Sequence, residues 1–212
     1  MRETAVELTL YTHPMSRGRI ARWMLEEIGQ PYAVHPLAYG DAMKDAAYRA
    51  INPMGKVPAL VHGDTVVTEC AAICAYLADT FPQAGLAPTA GERGAYLRWL
   101  FFAAGPLEAC VSNRSLGIEI PEEKRRMIGY GSYEAVVEAL DGLLSERAYV
   151  AGERFTAADV YVGSQVAWGM MFGTLERRPA FEAYAARLMQ RDAAKRAQAL
   201  DDALAEEMQP KA

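Results

Sequence analysis

The residues best suited to chemistry lie where the first strand-like segment gives way to a helix. Leu8 and Leu10 alternate with polar residues, as in a half-buried strand, and the turn Thr12-His13-Pro14-Met15-Ser16 follows. The first turn of a helix offers unpaired N–H groups and a partial positive charge. A thiol held against Ser16 should therefore ionise more readily than a free thiol, whose pKa is near about 8.5. Alternatively, Ser16 serves only as the N-cap of the helix.

A second motif joins a turn to the start of a strand: Asn52-Pro53-Met54-Gly55-Lys56-Val57-Pro58-Ala59-Leu60. A proline that opens a strand at a turn is a candidate for a cis peptide bond. A cis Val57–Pro58 bond leaves the N–H and C=O of Val57 outside the sheet, where an extended peptide can pair with them like an added strand. The alternative is an ordinary turn proline.

A third motif, Thr68-Glu69-Cys70, opens a later helix. Its exposed N–H groups can receive a carboxylate, although routine helix capping by Thr68 accounts for the same residues.

The pattern of the first half predicts the elements that position these motifs. Strands are expected at 7–11, 32–37, 57–61 and 65–68, with helices after Ser16, at 41–50 and at 69–80. The first helix carries an apolar stripe through Ile20, Met24 and Ile28 and ends at Gly29. A helical crossover makes the first two strands parallel, whereas the last two form an antiparallel hairpin. This βαβαββα order is the thioredoxin-like α/β arrangement.

The second half shows only helical patterns, so it predicts an all-α domain. We expect a first domain at 1–84, a linker at 85–90 and a helical domain at 91–212. Helices are predicted at 90–116, interrupted by Gly105-Pro106, and at 121–146. Thr156-Ala157-Ala158-Asp159 is a capping box with Phe155 as its hydrophobic staple. A further helix begins at Pro179, and a final one reaches about 207.

Composition argues against several classes of function. The chain has 22 Lys and Arg against 27 Asp and Glu, a net charge of −5, which disfavours a nucleic-acid binder. No apolar run reaches the roughly 18 residues of a membrane span, and no signal peptide is evident. The three cysteines lack the spacing of a zinc site. Their odd number favours reduced thiols and a cytoplasmic location.

Together, these motifs resemble the cytosolic glutathione S-transferase family along almost the whole chain. That family has Ser, Cys or Tyr after the first strand, then N-P-x-G-x-V-P-x-L, then Glu-Ser before a helix, and a capping box in its second domain. The chain resembles bacterial-type members with a serine at the active site, because Ser16 occupies the first position.

The resemblance implies a role for each matched residue. Ser16 orients and helps to ionise the glutathione thiol, Val57 before Pro58 pairs with the cysteinyl main chain, and Lys56 reaches the glycyl carboxylate. Glu69 and the N–H of Cys70 hold the γ-glutamyl end. Glutathione is then a co-substrate, with no metal, and the chain is expected to form a homodimer.

One residue, Cys70, departs from the family pattern, and another, Tyr11, is an alternative to Ser16. Cys70 stands where the family has serine, and a thiol is a weaker donor than a hydroxyl. Tyr11 is the alternative activating residue, because some classes use a tyrosine near the end of the first strand; Ser16 is preferred because Tyr11 lies within the strand itself. His13 is interpreted as a passive loop residue.

The implied activity is conjugation of the glutathione thiolate to hydrophobic electrophiles, as in detoxification. A pocket between the domains is expected to receive the electrophile; its candidate residues are Met15, Phe101, Phe102, Cys110 and Trp168, with Met171 and Phe172 as further candidates. For each of them, ordinary core packing is the alternative. Two other functions remain open: glutathione-dependent reduction of disulfides or peroxides, and a non-catalytic binding or regulatory role.

Overall fold

The computed structural model describes residues 7–209, which fall into two compact units. The first unit contains residues 7–85 and 191–209, and the second contains residues 86–190. Among these residues, no helix is both long enough and apolar enough to cross a bilayer.

A four-stranded mixed sheet forms the centre of the first unit. Its strands are β1 (Leu8–Thr12), β2 (Tyr32–Pro36), β3 (Ala59–His62) and β4 (Thr65–Thr68), in the order β2-β1-β3-β4. β1 and β2 are parallel, and the other two pairings are antiparallel, which confirms the predicted thioredoxin-like arrangement. β3 begins two residues later than predicted, so Val57 lies outside the strand.

The helices of this unit follow the predicted order with one difference. They are α1 (Gly18–Ile28), α2 (Asp41–Lys44), α3 (Ala46–Ile51) and α4 (Cys70–Thr80). The apolar stripe of α1 is buried. The single helix predicted at 41–50 is wrong, because Asp45 has extended backbone (φ −57°, ψ 145°) and divides it. The Asp45 carboxylate accepts the Ala47 N–H at 3.1 Å and thereby begins α3.

The second unit is helical, as predicted. It contains α5 (Arg93–Phe102), α6 (Glu108–Ser115), α7 (Tyr133–Glu146), α8 (Ala157–Phe172) and α9 (Pro179–Met189). Between α5 and α6, residues 103–107 form a π-helical turn that accommodates Pro106, where the interruption was expected. The helix predicted at 121–146 is wrong in its first part. Residues 122–127 instead form a short 3-10 helix, and Gly131, with a left-handed φ of 69°, separates this helix from α7.

The last helix, α10 (Asp192–Glu207), packs against α1 of the first unit. Buried Arg22 of α1 donates to Asp201 at 2.7 Å, and Arg191 pairs with Glu27 at 2.6 Å. Residues 191–209 therefore group with the thioredoxin-like unit rather than with the helical domain to which the sequence assigned them. Helical periodicity alone does not reveal which unit a helix packs against.

The predicted capping box begins α8. The buried carboxylate of Asp159 accepts the main-chain N–H of Thr156 at 2.8 Å and the Thr156 hydroxyl at 3.1 Å. It also accepts the N–H of Val150 at 2.9 Å and the hydroxyl of Tyr184 at 2.8 Å. One side chain thus joins the start of α8 to the preceding loop and to α9.

We predict that Asp159→Ala lowers the free energy of unfolding by about 3 kcal/mol or more, because four buried donors lose their acceptor. Asp192→Ala is the matched control, since Asp192 is an exposed acidic residue in the first turn of α10. Its expected effect is within about 0.5 kcal/mol. Urea unfolding midpoints measure both, and similar losses in the two variants would contradict the prediction.

Candidate functional site

The strand register brings the three sequence motifs to one end of the sheet. Tyr11 of β1 is opposite Ala59 of β3, and Ala59 is opposite Thr68 of β4. Immediately beyond this row of three residues come the turn at 12–16, the segment Val57–Pro58 and the pair Glu69–Cys70. The sequence predicted each motif separately, whereas the register is what makes them neighbours.

The N-terminal ends of α1 and α4 meet at this end of the sheet. The Cys70 thiol, in the first turn of α4, donates to the carbonyl of Arg17, which precedes α1, with Sγ and O 3.5 Å apart. Each helix start carries unpaired N–H groups and a partial positive charge. Two such ends side by side form a strong site for a ligand with more than one anionic group.

Ser16 lies half-buried just before α1, which begins at Gly18, two residues after Ser16 and therefore close to it, as predicted. Its hydroxyl accepts the N–H of Gly18 at 2.9 Å and donates to the carbonyl of His13 at 2.6 Å. The hydroxyl therefore satisfies the first N–H of the helix. A rotation about the Cβ–Oγ bond can turn the hydroxyl proton away from His13.

Gly18 allows α1 to approach β1 closely. A Cβ built on Gly18 would lie 1.9 Å from Oγ1 of Thr12 and 3.0 Å from Oγ of Ser16. Because Thr12 is fully buried, it has no space into which to move. The glycine thus sets how near the helix start lies to the end of β1.

The main chain of Val57 lies outside the sheet, just before β3, as predicted. The Val57–Pro58 peptide bond is cis. None of the main-chain hydrogen bonds found among residues 7–209 outside helices and strands involves Val57. The carbonyl of Lys56 is held by the Tyr48 hydroxyl at 2.6 Å and by the Asn52 amide at 2.7 Å, while the Lys56 side chain is exposed.

Tyr48 has a role that the sequence analysis missed. Burial raises the pKa of Tyr48 to about 12, so its hydroxyl stays protonated and available to the Lys56 carbonyl. No local pattern links a tyrosine in α3 to a turn eight residues later.

Glu69 has strained backbone. With φ 63° and ψ 115°, it has a positive φ that no other described residue except glycine shares. Such conformations persist where the surrounding structure fixes them, and they cluster at functional sites. This strained residue is exposed and lies directly before the first turn of α4.

Tyr11 faces the other side of the sheet. Its ring lies 4.9 Å from the ring of His35 and 5.7 Å from that of Tyr48, in the cluster under α2 and α3. Thr12, which contacts the start of α1, points to the opposite face because side chains alternate along a strand. This geometry favours Ser16 over Tyr11 as the residue at the helix start.

The candidate electrophile residues have different environments. Met15, in the first unit, is 68% exposed, and Phe101 on α5 is 69% exposed. Phe102 is half-buried and packs edge-to-face on Trp99 with ring centroids 5.1 Å apart, and Trp168 is half-buried. Burial raises the pKa of Cys110 to about 11, so its thiol is packed and protonated.

Within residues 7–209, no group of three or more His, Cys, Asp or Glu side chains is placed to hold a metal ion.

Comparisons with known proteins agree with this geometry. Family models match the glutathione S-transferase N-terminal domain at residues 10–85 and its C-terminal domain at residues 110–192. Glutathione S-transferase Z2 of Arabidopsis thaliana is 31% identical over 170 residues, covering 76% of this chain and 75% of that protein. Glutathione S-transferase GstA of Escherichia coli O157:H7 is 32% identical over 124 residues, covering 57% of this chain and 61% of that protein.

A solved structure agrees along nearly the full length. The theta class glutathione S-transferase from Xanthomonas axonopodis pv. citri, with glutathione bound, is 29% identical with a TM-score of 0.73. The match covers 91% of this chain and 97% of that one. The chain therefore belongs to the glutathione S-transferase family.

We predict that Gly18→Ala lowers the free energy of unfolding by about 2 kcal/mol, because overpacking a fixed contact forces backbone shifts. Gly142→Ala is the control, since a Cβ at Gly142 in α7 meets nothing within 4 Å. It is expected to add up to about 1 kcal/mol through helix propensity. Urea unfolding measures both, and Thr12→Ala combined with Gly18→Ala should recover part of the loss. Equal effects of the two single glycine substitutions would show that the Thr12 contact is unimportant.

Proposed function

We propose that this chain binds glutathione at the residues just beyond the row of Tyr11, Ala59 and Thr68 and conjugates its thiolate to hydrophobic electrophiles. The observation that carries the proposal is the contact between Cys70 and the Arg17 carbonyl, because it shows that two helix N-termini lie side by side. Glutathione carries a thiol and two carboxylates, which suits a site with two such ends. The related theta class enzyme, solved with glutathione bound, supports the same ligand.

The proposed pose follows the order of the motifs. The thiol lies at Ser16, and the cysteinyl main chain pairs with the N–H and C=O of Val57. The γ-glutamyl group lies at Glu69 and the N–H of Cys70, and the exposed side chain of Lys56 reaches the glycyl carboxylate. Pro58, buried directly before β3, lies under the peptide in this pose.

The chemistry requires a thiolate at neutral pH. Positive potential at the start of α1 and a hydrogen bond from Ser16 both favour the ionised sulfur, so the thiol proton leaves to solvent. The sulfur then donates an electron pair to the electrophilic carbon. A C–S bond forms, and a leaving group departs with its bonding pair. Holding the two reactants together supplies much of the acceleration.

Cysteine-based disulfide exchange receives no support from the thiols of the chain. Cys70, Cys74 and Cys110 are all buried, and positions 13–16 contain no cysteine. A nucleophilic cysteine needs an accessible thiolate. Conjugation, in which glutathione brings the thiol, is therefore favoured over reduction.

The remaining parts of the proposal concern the second substrate and the location of the protein. The exposed apolar side chain of Met15, next to Ser16, supports a hydrophobic electrophile. Cys70, Cys74 and Cys110 are thiols rather than halves of disulfides, which supports a reducing, cytoplasmic compartment. We also propose a homodimer, and the particle mass in solution tests it.

We predict that Ser16→Ala slows conjugation of an aryl halide about 100-fold at neutral pH, because one donor to developing charge is lost. The pH at which the bound thiol ionises should also rise. Steady-state rates across pH measure both effects. Ser115→Ala is the control, because Ser115 is an exposed serine bonded only locally, to the Ser112 carbonyl. A Ser16→Ala rate and pH profile equal to those of the unsubstituted protein would reject the assignment.

A second prediction concerns the γ-glutamyl end. Glu69→Ala should weaken glutathione binding about tenfold or more, because a charge-assisted hydrogen bond contributes roughly 1.5–3 kcal/mol. Cys70→Ala should weaken it less than threefold, because the thiol is directed to the Arg17 carbonyl while the main chain at this position is retained. Calorimetric titration with glutathione measures both. The reverse order of the two losses would contradict this pose.

A further inference from the structure

Three consecutive carbonyl groups in the His13–Ser16 loop each accept a hydrogen bond from a side chain. The Ser16 hydroxyl donates to His13, and Nε of Arg19 donates to Pro14. The Tyr39 hydroxyl donates to Met15 at 2.8 Å. Ser16 and Arg19 belong to the turn and to α1, whereas Tyr39 comes from the connection between β2 and α2, 24 residues from Met15.

Tyr39 contacts this loop at two points. Besides the hydrogen bond to Met15, its ring lies against the ring of His13, with centroids 4.1 Å apart. His13 in turn accepts the Met15 N–H at Nδ1, 3.1 Å away. Burial lowers the pKa of His13, so the ring stays neutral and keeps this acceptor at neutral pH. The tyrosine therefore closes a small ring of contacts through His13 and Met15.

These contacts reach Ser16 through the main chain. The His13 carbonyl holds the Ser16 hydroxyl at 2.6 Å, and Met15 is the adjacent residue. A shift of either Met15 or His13 consequently moves or reorients the hydroxyl. Tyr39 itself is 59% exposed, so its ring contributes little buried surface to the stability of the fold.

The hydrogen bond from Tyr39 also fixes the direction of the Met15 carbonyl, which is bonded to the main-chain nitrogen of Ser16. A carbonyl oxygen is the negative end of a dipole, and an uncapped one near a sulfur opposes thiolate formation. A donor on that oxygen holds it in a fixed direction. Preorganised dipoles stabilise developing charge more effectively than dipoles that must reorient.

We propose that Tyr39 is a positioning residue for thiol ionisation, acting through the main chain of Met15 and the ring of His13 on the Ser16 hydroxyl. This inference rests on the proposed function, because it requires a glutathione thiol at Ser16. It assigns a task in the thiol site to the connection between β2 and α2, which lies outside the three sequence motifs.

The test compares Tyr39→Phe with the unsubstituted protein, both saturated with glutathione. Phenylalanine keeps the ring on His13 and removes only the donor to Met15. The pKa of the bound thiol, followed by the ultraviolet absorbance of the thiolate, should rise by about 0.5–1 unit, the size of one neutral hydrogen bond. Below that pKa, kcat should fall about 3- to 10-fold, with KM for the electrophile unchanged. The urea midpoint is expected to stay at the unsubstituted value.

Tyr76→Phe is the matched control. Tyr76 of α4 is another tyrosine of the same unit, with its hydroxyl 2.9 Å from Nδ1 of His62, and the thiol pKa in this variant should equal that of the unsubstituted protein. Tyr39→Ala, which also removes the ring from His13, should raise the thiol pKa at least as far as Tyr39→Phe does.

The outcomes separate this inference from the function on which it rests. If the unsubstituted protein leaves the bound thiol at its ordinary pKa, the proposed function fails and the role of Tyr39 fails with it. If the unsubstituted protein lowers that pKa and Tyr39→Phe leaves it equally low, only the role of Tyr39 is overturned. A loss of glutathione affinity with no change in the thiol pKa overturns it as well.

Discussion

The candidate site depends on the register of β1, β3 and β4. Tyr11, Ala59 and Thr68 lie side by side, and the residues that follow or precede them in the chain supply the helix starts and the open main chain at Val57. Side chains alternate between faces, so a slip of one residue in β1 would exchange Thr12 and Tyr11. Thr12 would then leave the start of α1, and the turn at Ser16 would lose its support.

The position of α1 must also be fixed, and contacts on two of its faces fix it. On the sheet side, Gly18 allows close contact with Thr12. On the other side, the buried ion pair of Arg22 with Asp201 joins α1 to α10. Burial raises the pKa of Asp201, so desolvation opposes the attraction, and such a pair adds little net stability. Its effect is to fix the helix in one position, as a preorganised site requires.

The extent to which the sequence predicted this structure depends on the range of the interactions. The stripe of α1, the β3–β4 hairpin and the Thr156 capping box are local patterns, and the structure confirms them. The break at Asp45 depends on a cap competing with helix continuation. The affiliation of α10 depends on ion pairs across 160 or more residues. The Tyr48 donor to the Lys56 carbonyl lies outside any motif, whereas the second donor, Asn52, is the first residue of the motif that ends at Leu60.

Cys70 stands where the family has serine, and this difference changes which groups of the site can bind a ligand. A serine there could donate a strong hydrogen bond to a ligand, but a thiol is a weak donor. Here the thiol is directed to the Arg17 carbonyl, where it joins the starts of α1 and α4. If a ligand carboxylate is held at α4, the main-chain N–H groups of the helix start must supply most of the attraction, while the Glu69 carboxylate can accept a hydrogen bond from the γ-glutamyl ammonium group. The strained backbone of Glu69 (φ 63°) is consistent with that requirement, since it fixes the residue at the helix start before any ligand arrives.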